Sequence, residues 1–410
     1  MKAINQLVDI SQYYGRDSRY VIAGGGNTSY KDADRICVKA SGHSLATITE
    51  DGFAVLDRAL LNEISVKKYS DDAAEREEQV KNDLAAASLT KDRRPSVETS
   101  MHNAINSPFV VHLHPTMVNA LMCSQNAEKT TAQLFGDSVR YIPYTDPGYV
   151  LFKKVETGIA DHEAKHGAEP QIIMLQNHGI FVGGDTIEEI MGIYDAVLSK
   201  IENAITEPLP AGDSMIADDI TEVVPAIRMM LSKDGLKTLK VSNTLLSQYF
   251  LQSQQEADKI SRPFSPDIIV YCKSEYIYSD TTDLEVIGEK IGQYYDNHGY
   301  MPKVLLIKGI GVIAAGDNAA GAQIILDVFE DMMKIAWLSQ SFGGGHPMTR
   351  EQIDFIDNWE VENYRRKVSA GATAGRAENK TIIVTGAAQG FGEGIAECLI
   401  KQGANIVVAD

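Results

Sequence analysis

The chain has 410 residues, of which 44% are hydrophobic and 23% are charged. These values are ordinary for globular proteins and exclude a largely disordered or collagen-like chain. At about 150 residues per domain, the length predicts two or three domains. With 38 Lys and Arg against 56 Asp and Glu, the net charge is −18, which disfavours nucleic acid and anionic membranes as partners.

The cysteines and the N-terminus predict a cytoplasmic protein. The cysteines are far apart and form no C-x-x-C pair, so neither a disulfide framework nor a thiolate metal site is indicated. They are Cys37, Cys123, Cys272 and Cys398. The first residues lack the apolar segment of a secretory signal, and no stretch approaches the roughly 20 apolar residues of a membrane-spanning helix. A reducing cytosol fits this pattern best.

Residues 1 to 205 alternate short β-branched runs with stretches of helical periodicity, which predicts a sheet covered by helices. The clearest strands are predicted at 35–39, 109–114 and 171–175, and the clearest helices at 77–88, 97–106 and 186–203. A Pro-rich, weakly periodic stretch at 207–212 then interrupts the pattern. We therefore predict a first domain over 1–208.

The next segment, 220–345, contains a partial copy of the first. When Pro170 is aligned with Pro302, one offset without gaps matches a strand, a turn and the following helix. The matched pairs are Leu175 and Ile307, Gly179 and Gly311, Gly184 and Gly316, Asp185 and Asp317, Ile193 and Ile325, and Asp195 and Asp327. We interpret this as a degenerate duplication, although generic strand–turn–helix units can also match by chance. The copy has Ile310 where the first segment has His178.

The C-terminal part has a different pattern. We predict that 346–379 is a helical segment followed by an Ala/Gly-rich linker. Residues 380–385 then have a strand pattern, 386–392 are a glycine-rich turn, 393–402 are helical, and 403–410 form a second strand. This order predicts the truncated βαβ start of a Rossmann dinucleotide-binding fold.

The strongest local signal is a pair of histidines inside an apolar strand, His112 and His114. Side chains two apart in a strand point to the same face, so both imidazoles should project together. A third histidine, His178, also follows an apolar strand and precedes a glycine-rich turn. Three imidazoles with an open fourth position are a catalytic zinc arrangement, although imidazole also accepts iron, cobalt, nickel and copper. An exposed strand face is the alternative for an isolated H-x-H pair.

A carboxylate precedes this strand in the sequence. Glu98 falls in the first turn of the predicted helix 97–106, which Pro95 and Ser96 can open. There it can serve as a partner for the helix dipole or as a general acid/base beside a metal. His102, one turn later, is expected to be a core residue or a neighbour of the site rather than a ligand.

Two glycine-rich loops carry donors for an anion. Residues 24–29 are Gly-Gly-Gly-Asn-Thr-Ser, and residues 39–42 are Lys-Ala-Ser-Gly. Glycines let the backbone approach an anion closely, while the amide, hydroxyl and ammonium groups supply donors. Ordinary turns use the same residues. Together the loops indicate a phosphate or carboxylate cradle.

In chain order, the segments 24–29, 39–42, 95–98, 112–114 and 177–179 resemble motifs of the class II aldolase/adducin family. That family includes the fuculose and rhamnulose phosphate aldolases and ribulose phosphate 4-epimerase. With its dehydrogenase-like C-terminus, the whole chain resembles the N-terminal part of bifunctional proteins that join a rhamnulose-phosphate-type aldolase to a short-chain alcohol dehydrogenase. The resemblance implies an α/β fold, a three-layer α/β/α sandwich with a mainly antiparallel central sheet.

The resemblance also implies roles for individual residues. It makes His112, His114 and His178 the metal ligands and Glu98 the catalytic acid/base. Phosphate binding is implied for Gly26, Asn27, Ser41, Gly42 and Ser96, and Lys39 matches a lysine more typical of the epimerase branch.

Two departures from the family pattern bear on the substrate and the proton donor. Val97 stands where a second serine would donate to a phosphate. The segment that carries a proton-donating tyrosine in the aldolases is shortened here, which leaves Tyr144 or Tyr149 as substitutes.

The C-terminal T-G-x-x-x-G-x-G pattern resembles the fingerprint of short-chain dehydrogenases. Gly386, Gly390 and Gly392 would permit the tight turn and place the pyrophosphate of NAD near a helix N-terminus. Asp410 would bind the ribose hydroxyls. No Tyr-x-x-x-Lys pair follows, so this chain alone is not expected to act as a dehydrogenase.

We therefore predict a zinc-dependent class II aldehyde-lyase that cleaves a ketose phosphate, such as rhamnulose 1-phosphate or fuculose 1-phosphate, to dihydroxyacetone phosphate and an aldehyde. Three alternatives stay open: a sugar-phosphate 4-epimerase with the same enediolate chemistry, a non-enzymatic adducin-like interaction module, and a Schiff-base aldolase through Lys39. In the resembling aldolases four subunits pack around a fourfold axis. If each chain holds two copies, a homodimer would supply four such units.

Overall fold

The computed structural model describes residues 2–215, 217–358 and 375–410. The chain forms two compact units. Unit 1 comprises Met1–Leu209, Phe264–Asp267 and Lys334–Arg365, and unit 2 comprises Pro210–Pro263, Ile268–Met333 and Arg366–Asp410. Unit 1 therefore includes two pieces from the later part of the chain.

Unit 1 is built on a seven-stranded sheet. Its strands are β1 (Asn27–Lys31), β2 (Arg35–Lys39), β3 (Phe53–Asp57), β4 (Phe109–Leu113), β5 (Arg140–Ile142), β6 (Ile172–Leu175) and β7 (Gly179–Gly184). They lie in the order β3-β2-β1-β4-β7-β6-β5. The pairs are antiparallel except β5 with β6, which are parallel. The predicted mainly antiparallel central sheet is confirmed.

Helices cover both faces of this sheet. They are α1 (Lys2–Gly15), α2 (Arg58–Val66), α3 (Ala73–Ala87), α4 (Thr99–Ala104), α5 (Thr116–Met122), α6 (Ala127–Phe135), α7 (Tyr149–His166) and α8 (Ile187–Glu202). Apolar residues of α1, α5, α6 and α8 form one core with one face of the sheet. Those of α2, α3, α4 and α7 form a second core with the other face. The result is the predicted three-layer α/β/α sandwich.

The predicted helix 97–106 is shorter in the structure, because α4 begins only at Thr99. Glu98 immediately precedes it, and the Glu98 amide donates to the Ser96 hydroxyl at 3.2 Å. The Thr99 hydroxyl donates to the Ser96 carbonyl at 2.6 Å. Residues 96–98 therefore form a turn, and Glu98 caps the N-terminus of α4 instead of lying within it.

Unit 2 contains a four-stranded sheet in the order β8-β11-β10-β9, where β8 is Thr238–Ser242, β9 is Ile277–Ser279, β10 is Val304–Ile307 and β11 is Gly311–Gly316. The helices along this part of the chain are α9 (Ile220–Leu231), α10 (Leu245–Leu251), α11 (Gln254–Asp258), α12 (Pro266–Cys272), α13 (Leu284–His298) and α14 (Ala319–Leu338). Helices α9 and α13 pack their apolar residues against the sheet.

The pairing within this smaller sheet repeats that of four strands of the larger one. Strands β4, β7, β6 and β5 pair antiparallel, antiparallel and parallel, and β8, β11, β10 and β9 do the same. Ile172 pairs with Val182 in unit 1, and Val304 pairs with Ala314 in unit 2. These pairs are related by the offset that aligns Pro170 with Pro302. We therefore propose that unit 2 holds a degenerate copy.

The C-terminal residues form a small parallel pair of strands. Strand β12 (Thr381–Thr385) pairs with β13 (Asn405–Ala409), and α16 (Gly390–Lys401) connects them. Helix α15 (Arg350–Asn358) precedes them. Of the predicted helical segment and linker 346–379, residues 359–374 lie outside the described residues. Among the residues the structure describes, no helix is both long enough and apolar enough to cross a membrane.

Candidate metal centre and active site

The three predicted histidines meet at one end of the central strand β4. His112 lies in β4 between Asn27 of β1 and Phe181 of β7. His114 directly follows that strand, and His178 lies in the turn between β6 and β7. Each can offer one ring nitrogen, and these three atoms lie within 4.8 Å of one another. The Nε2 atoms of His112 and His114 are 2.9 Å apart.

His112 is held with its Nε2 atom directed at this cluster. Its ring is fully buried and stacks on Phe181 at 3.9 Å between ring centres. Its Nδ1 donates to the Ile180 carbonyl at 3.0 Å, so Nε2 carries the lone pair that a metal requires. Burial lowers the pKa of His112 to about 4, and the ring is therefore neutral at pH 7.

The turn that carries His178 is fixed by Asn177. The Asn177 backbone is left-handed, with φ of 55°, a conformation that asparagine adopts more readily than most residues. Its side-chain amide donates to the carbonyls of Phe264 and His346, both at 2.8 Å. The Asn177 backbone amide donates to the Met122 carbonyl at 3.2 Å. These bonds hold the turn from three separate parts of the unit 1 chain.

The Glu98 carboxylate faces the histidines. Its Oε1 lies 3.3 Å from His112 Nε2 and 3.2 Å from His178 Nε2. Burial acts to raise the pKa of Glu98, but the two histidines outweigh it and hold that pKa well below its usual range. The carboxylate is therefore ionised in the neutral pH range and can accept a proton.

A chain of hydrogen bonds orients Glu98 from behind. The Asn27 side-chain amide nitrogen donates to Glu98 Oε2, and the oxygen of the same side chain, Oδ1, accepts from His102 Nε2. His102 Nδ1 then accepts from the Ser29 hydroxyl at 2.8 Å. His102 is fully buried, and burial keeps its pKa well below the usual value. A neutral ring with one donor and one acceptor nitrogen suits this chain.

Two of the predicted phosphate-binding residues, Asn27 and Ser96, contact Glu98. Asn27 donates to the Ser96 hydroxyl at 3.3 Å, and the Ser41 hydroxyl donates to the Pro95 carbonyl at 3.4 Å. Gly26 and Gly42 have left-handed φ angles of 69° and 92°. A Cβ on Gly26 would lie 2.7 Å from the His112 carbonyl, so only glycine fits there without movement.

Lys39 lies on the other face of the sheet, and the hydroxyls of the two candidate tyrosines form hydrogen bonds with residues other than the three histidines. Val38 pairs with Ser29, which pairs with Val110, so strand alternation puts Lys39 on the opposite face of the sheet from His112. The Tyr144 hydroxyl donates to Asp146 at 3.1 Å, and the Tyr149 hydroxyl donates to the Lys67 carbonyl at 3.5 Å.

One residue at the centre was not expected from the sequence. Asp267, in the first turn of α12, places Oδ2 2.5 Å from His114 Nδ1. The two residues are 153 positions apart. Pro266 before it indicates a helix start, but no local pattern indicates what Asp267 contacts.

The predicted dinucleotide-binding residues form a tight turn in the C-terminal segment. Gly386 and Gly390 have φ angles of 64° and 65°. A Cβ on Gly392 would lie 1.9 Å from the Gly386 carbonyl oxygen, so glycine is required for the close approach of turn and helix. The Asp410 carboxylate accepts from the Ala388 amide at 2.7 Å.

Comparison with known proteins finds a family that resembles the N-terminal part of the chain. Residues 5–197 match the family described as the class II aldolase and adducin N-terminal domain. The N-terminal class II aldolase domain of a conserved protein from Thermoplasma acidophilum is 28% identical and covers 49% of this chain and 92% of that one, with a TM-score of 0.42.

Two curated relatives match over different lengths. A Bacillus subtilis protein named "Uncharacterized oxidoreductase YuxG" is 23% identical over 458 residues, which cover 100% of this chain and 64% of that protein. The 3-oxo-tetronate 4-phosphate decarboxylase of Haemophilus influenzae is 24% identical over 182 residues, which cover 41% of this chain and 70% of that protein. This chain thus spans less than two thirds of the length of the Bacillus relative.

Proposed function

We propose that the chain is a metal-dependent lyase acting on a ketose phosphate, because residues 5–197 match the class II aldolase/adducin family. The products are dihydroxyacetone phosphate and an aldehyde. Rhamnulose 1-phosphate and fuculose 1-phosphate are the substrates we expect. The observation that carries the proposal is the meeting of three histidine nitrogens and one ionised carboxylate at the end of β4.

The donor set suits a divalent cation. His112 uses Nδ1 for the Ile180 carbonyl, and His114 uses Nδ1 for Asp267. The Nε2 atoms of both rings face each other in the cluster and are the ligand atoms we propose. Three histidine ligands and an open position are typical of catalytic zinc sites. We therefore propose that His112, His114 and His178 hold zinc.

When bound, a divalent ion supplies a Lewis acid that polarises the substrate carbonyl and stabilises negative charge next to it. Glu98 moves the protons. As a carboxylate it accepts the proton of the hydroxyl whose carbon becomes the aldehyde. As the carbon–carbon bond breaks, the electron pair passes to the carbon beside the carbonyl, and Glu98 returns the proton there. Asn27 and His102 keep the carboxylate oriented for both transfers.

The loops around Ser96 supply the site for the substrate phosphate. Asn27 and Ser96 contact Glu98, and Ser41 contacts Pro95 in the same loop, which supports a phosphate site formed by Gly26, Asn27, Ser41, Gly42 and Ser96. Backbone amides at left-handed glycines and hydroxyl groups are suitable donors for an anion. Val97 supplies no hydroxyl, so we propose a phosphate held by fewer side-chain donors than in the resembling aldolases.

The test is turnover with a panel of ketose phosphates, followed by identification of the products. We expect dihydroxyacetone phosphate from the substrate, loss of activity with a chelator, and recovery with zinc. His178→Ala should lose both metal and activity, whereas Asp296→Ala, on the exposed face of α13, should lose neither. Activity that survives complete metal removal would overturn the proposal.

The same experiment separates the alternatives. A 4-epimerase would return an isomeric sugar phosphate and release no dihydroxyacetone phosphate. A Schiff-base aldolase through Lys39 would be trapped by borohydride in the presence of substrate and would resist chelation. An interaction module would turn over none of the panel. The panel includes 3-oxo-tetronate 4-phosphate, the substrate in the name of the Haemophilus relative.

We further propose that 380–410 begin a dinucleotide-binding region. The parallel β12–α16–β13 unit and the turn at Gly386, Gly390 and Gly392 support this, as does the oxidoreductase name of the Bacillus relative. Asp410 is the residue we expect at the ribose of NAD. Saturation-transfer NMR with NAD, with Gly392→Val as control, tests binding: a signal equal in both proteins would count against this assignment.

A further inference from the structure

The contact between Asp267 and His114 has a specific geometry. Asp267 Oδ2 lies 2.5 Å from Nδ1 of the imidazole, and the side chains are 18% and 13% exposed. The opposite ring nitrogen, Nε2, lies 2.9 Å from His112 Nε2 and so faces the cluster. The Asp267 carboxylate therefore binds one nitrogen of the His114 ring, while the other ring nitrogen faces the histidine cluster.

We propose that Asp267 is a positioning residue of the metal centre, and this inference rests on the metal-dependent function proposed above. A carboxylate that accepts from Nδ1–H fixes the tautomer, orients the ring and makes Nε2 a better donor. His112 gets the same support from the Ile180 carbonyl. The carboxylate adds a full negative charge, so Asp267 should strengthen binding of a cation more than a carbonyl does.

The segment that carries Asp267 is anchored to the same part of unit 1. The Phe264 carbonyl accepts from the Asn177 side chain at 2.8 Å and from the Cys123 thiol at 3.6 Å. The Phe264 ring is 1% exposed, and a Cβ on Gly345 would lie 2.7 Å from it. Because Asn177 also fixes the turn before His178, the segment Phe264–Asp267 supports two of the three ligands.

The glycine-rich loop leaves room for this carboxylate. A Cβ on Gly25 would lie 3.2 Å from Asp267 Oδ2 and 3.4 Å from His114 Nδ1. Gly25 therefore has a role separate from anion binding, because a side chain there would crowd the contact. The aldolase-like segment 5–197 thus depends on a residue that lies outside it.

Zinc affinity of the full chain, measured by competition with a chromogenic chelator, tests the proposal. Outer partners of metal-binding histidines typically contribute 10- to 100-fold in affinity. We expect Asp267→Ala to weaken zinc binding at least tenfold. Asp267→Asn keeps the shape and an oxygen acceptor but removes the charge, and we expect a smaller loss of at least threefold. Asp296→Ala removes one carboxylate from an exposed surface and should leave the affinity unchanged.

Two further readouts separate positioning from general support of the fold. The unfolding temperature of the metal-free proteins reports stability, and the visible spectrum of the cobalt(II)-loaded proteins reports ligand geometry. A spectrum that shifts in Asp267→Asn supports the proposal. Zinc affinity and cobalt spectrum that match wild type in Asp267→Asn overturn it, even if Asp267→Ala fails to fold. If the wild-type chain binds no zinc, it is the proposed metal centre that fails.

Discussion

Glu98 has two carboxylate oxygens with different partners. Oε1 faces His112 and His178 at 3.3 and 3.2 Å, while Oε2 accepts from Asn27. The candidate metal ligands are the three histidine nitrogens, and Glu98 is not one of them. A change at Glu98 should therefore separate proton transfer from metal binding.

For Glu98→Gln we expect metal content equal to wild type and turnover reduced by about 10²- to 10⁴-fold, the usual range for loss of a general acid/base. An amide keeps the shape but does not exchange a proton at neutral pH. Metal analysis and steady-state kinetics on the same sample measure both quantities. Wild-type turnover in this variant would remove Glu98 from the mechanism.

Lys31 gives a pH dependence that does not involve the metal ligands. It is 5% exposed, and its Nζ donates to the His102 carbonyl at 2.8 Å. Burial, with a smaller effect from Arg58, lowers the pKa of Lys31 from 10.5 to about 7, against the opposing effect of Glu169. Between these two values the unfolded chain binds a proton that the folded chain lacks, so stability rises with pH in that window.

The comparison is with Lys31→Met, which has no titratable group at this position. We expect the free energy of unfolding of wild type, relative to the variant, to rise from pH 7 to pH 9 by up to about 1.4 kcal/mol per pH unit. Urea unfolding of the metal-free proteins at pH 7, 8 and 9 measures this difference. A difference that does not change with pH would show that Lys31 keeps its ordinary pKa.

At the scale of elements, what could be predicted depended on whether the signal was local. Strand β2 has the bounds predicted for it, because Ile36 and Val38 alternate toward one core and this period is visible in the sequence. Helix α4 begins at Thr99 rather than at the predicted residue 97. The Ser96 hydroxyl accepts from the Glu98 amide, and Asn27, which is remote in sequence, donates to the Glu98 side chain. The contact of Asp267 with His114 spans 153 positions, and no periodicity encodes it.

The close packing of β4 against the turn into β7 gives a prediction for that element. A Cβ on Gly179 would lie 2.5 Å from the Leu113 carbonyl oxygen and 2.7 Å from His114 Cδ2. Gly179→Ala should therefore displace the His114 ring or spread the two strands. We expect a loss of at least 1 kcal/mol of stability, within the range of about 1–3 kcal/mol for overpacking, together with weaker zinc binding.

A glycine in an open part of the same unit is the control. Gly192 is exposed in α8, and a Cβ there would meet nothing within 4 Å. Gly192→Ala should stabilise the protein by about 0.5–1 kcal/mol, because alanine favours a helix interior. Urea unfolding and zinc competition on both variants measure the contrast. Equal effects of the two substitutions would contradict the packing argument.

At the scale of the whole molecule, the two sheets differ at the positions that hold the ligands. His112 pairs with Phe181 in unit 1, and Val241 pairs with Ile313 in unit 2. Phe181 and Ile313 are related by the same offset that aligns Pro170 with Pro302. In unit 2, Val241 thus stands at the position of His112. Asn243, two residues later, stands at the position of His114, and Ile310 stands at the position of His178.

This replacement predicts the metal content of the chain. Val241 and Ile310 offer no ligand atom, and Asn243 alone offers only a weak one, so the copy in unit 2 should hold no zinc. We expect one zinc ion per chain after reconstitution and dialysis, measured by inductively coupled plasma mass spectrometry against protein concentration. His178→Ala should lower this toward zero, because two imidazoles bind zinc far less tightly than three. Two ions per wild-type chain, or one ion retained by His178→Ala, would show that the binding site is not the one at the end of β4.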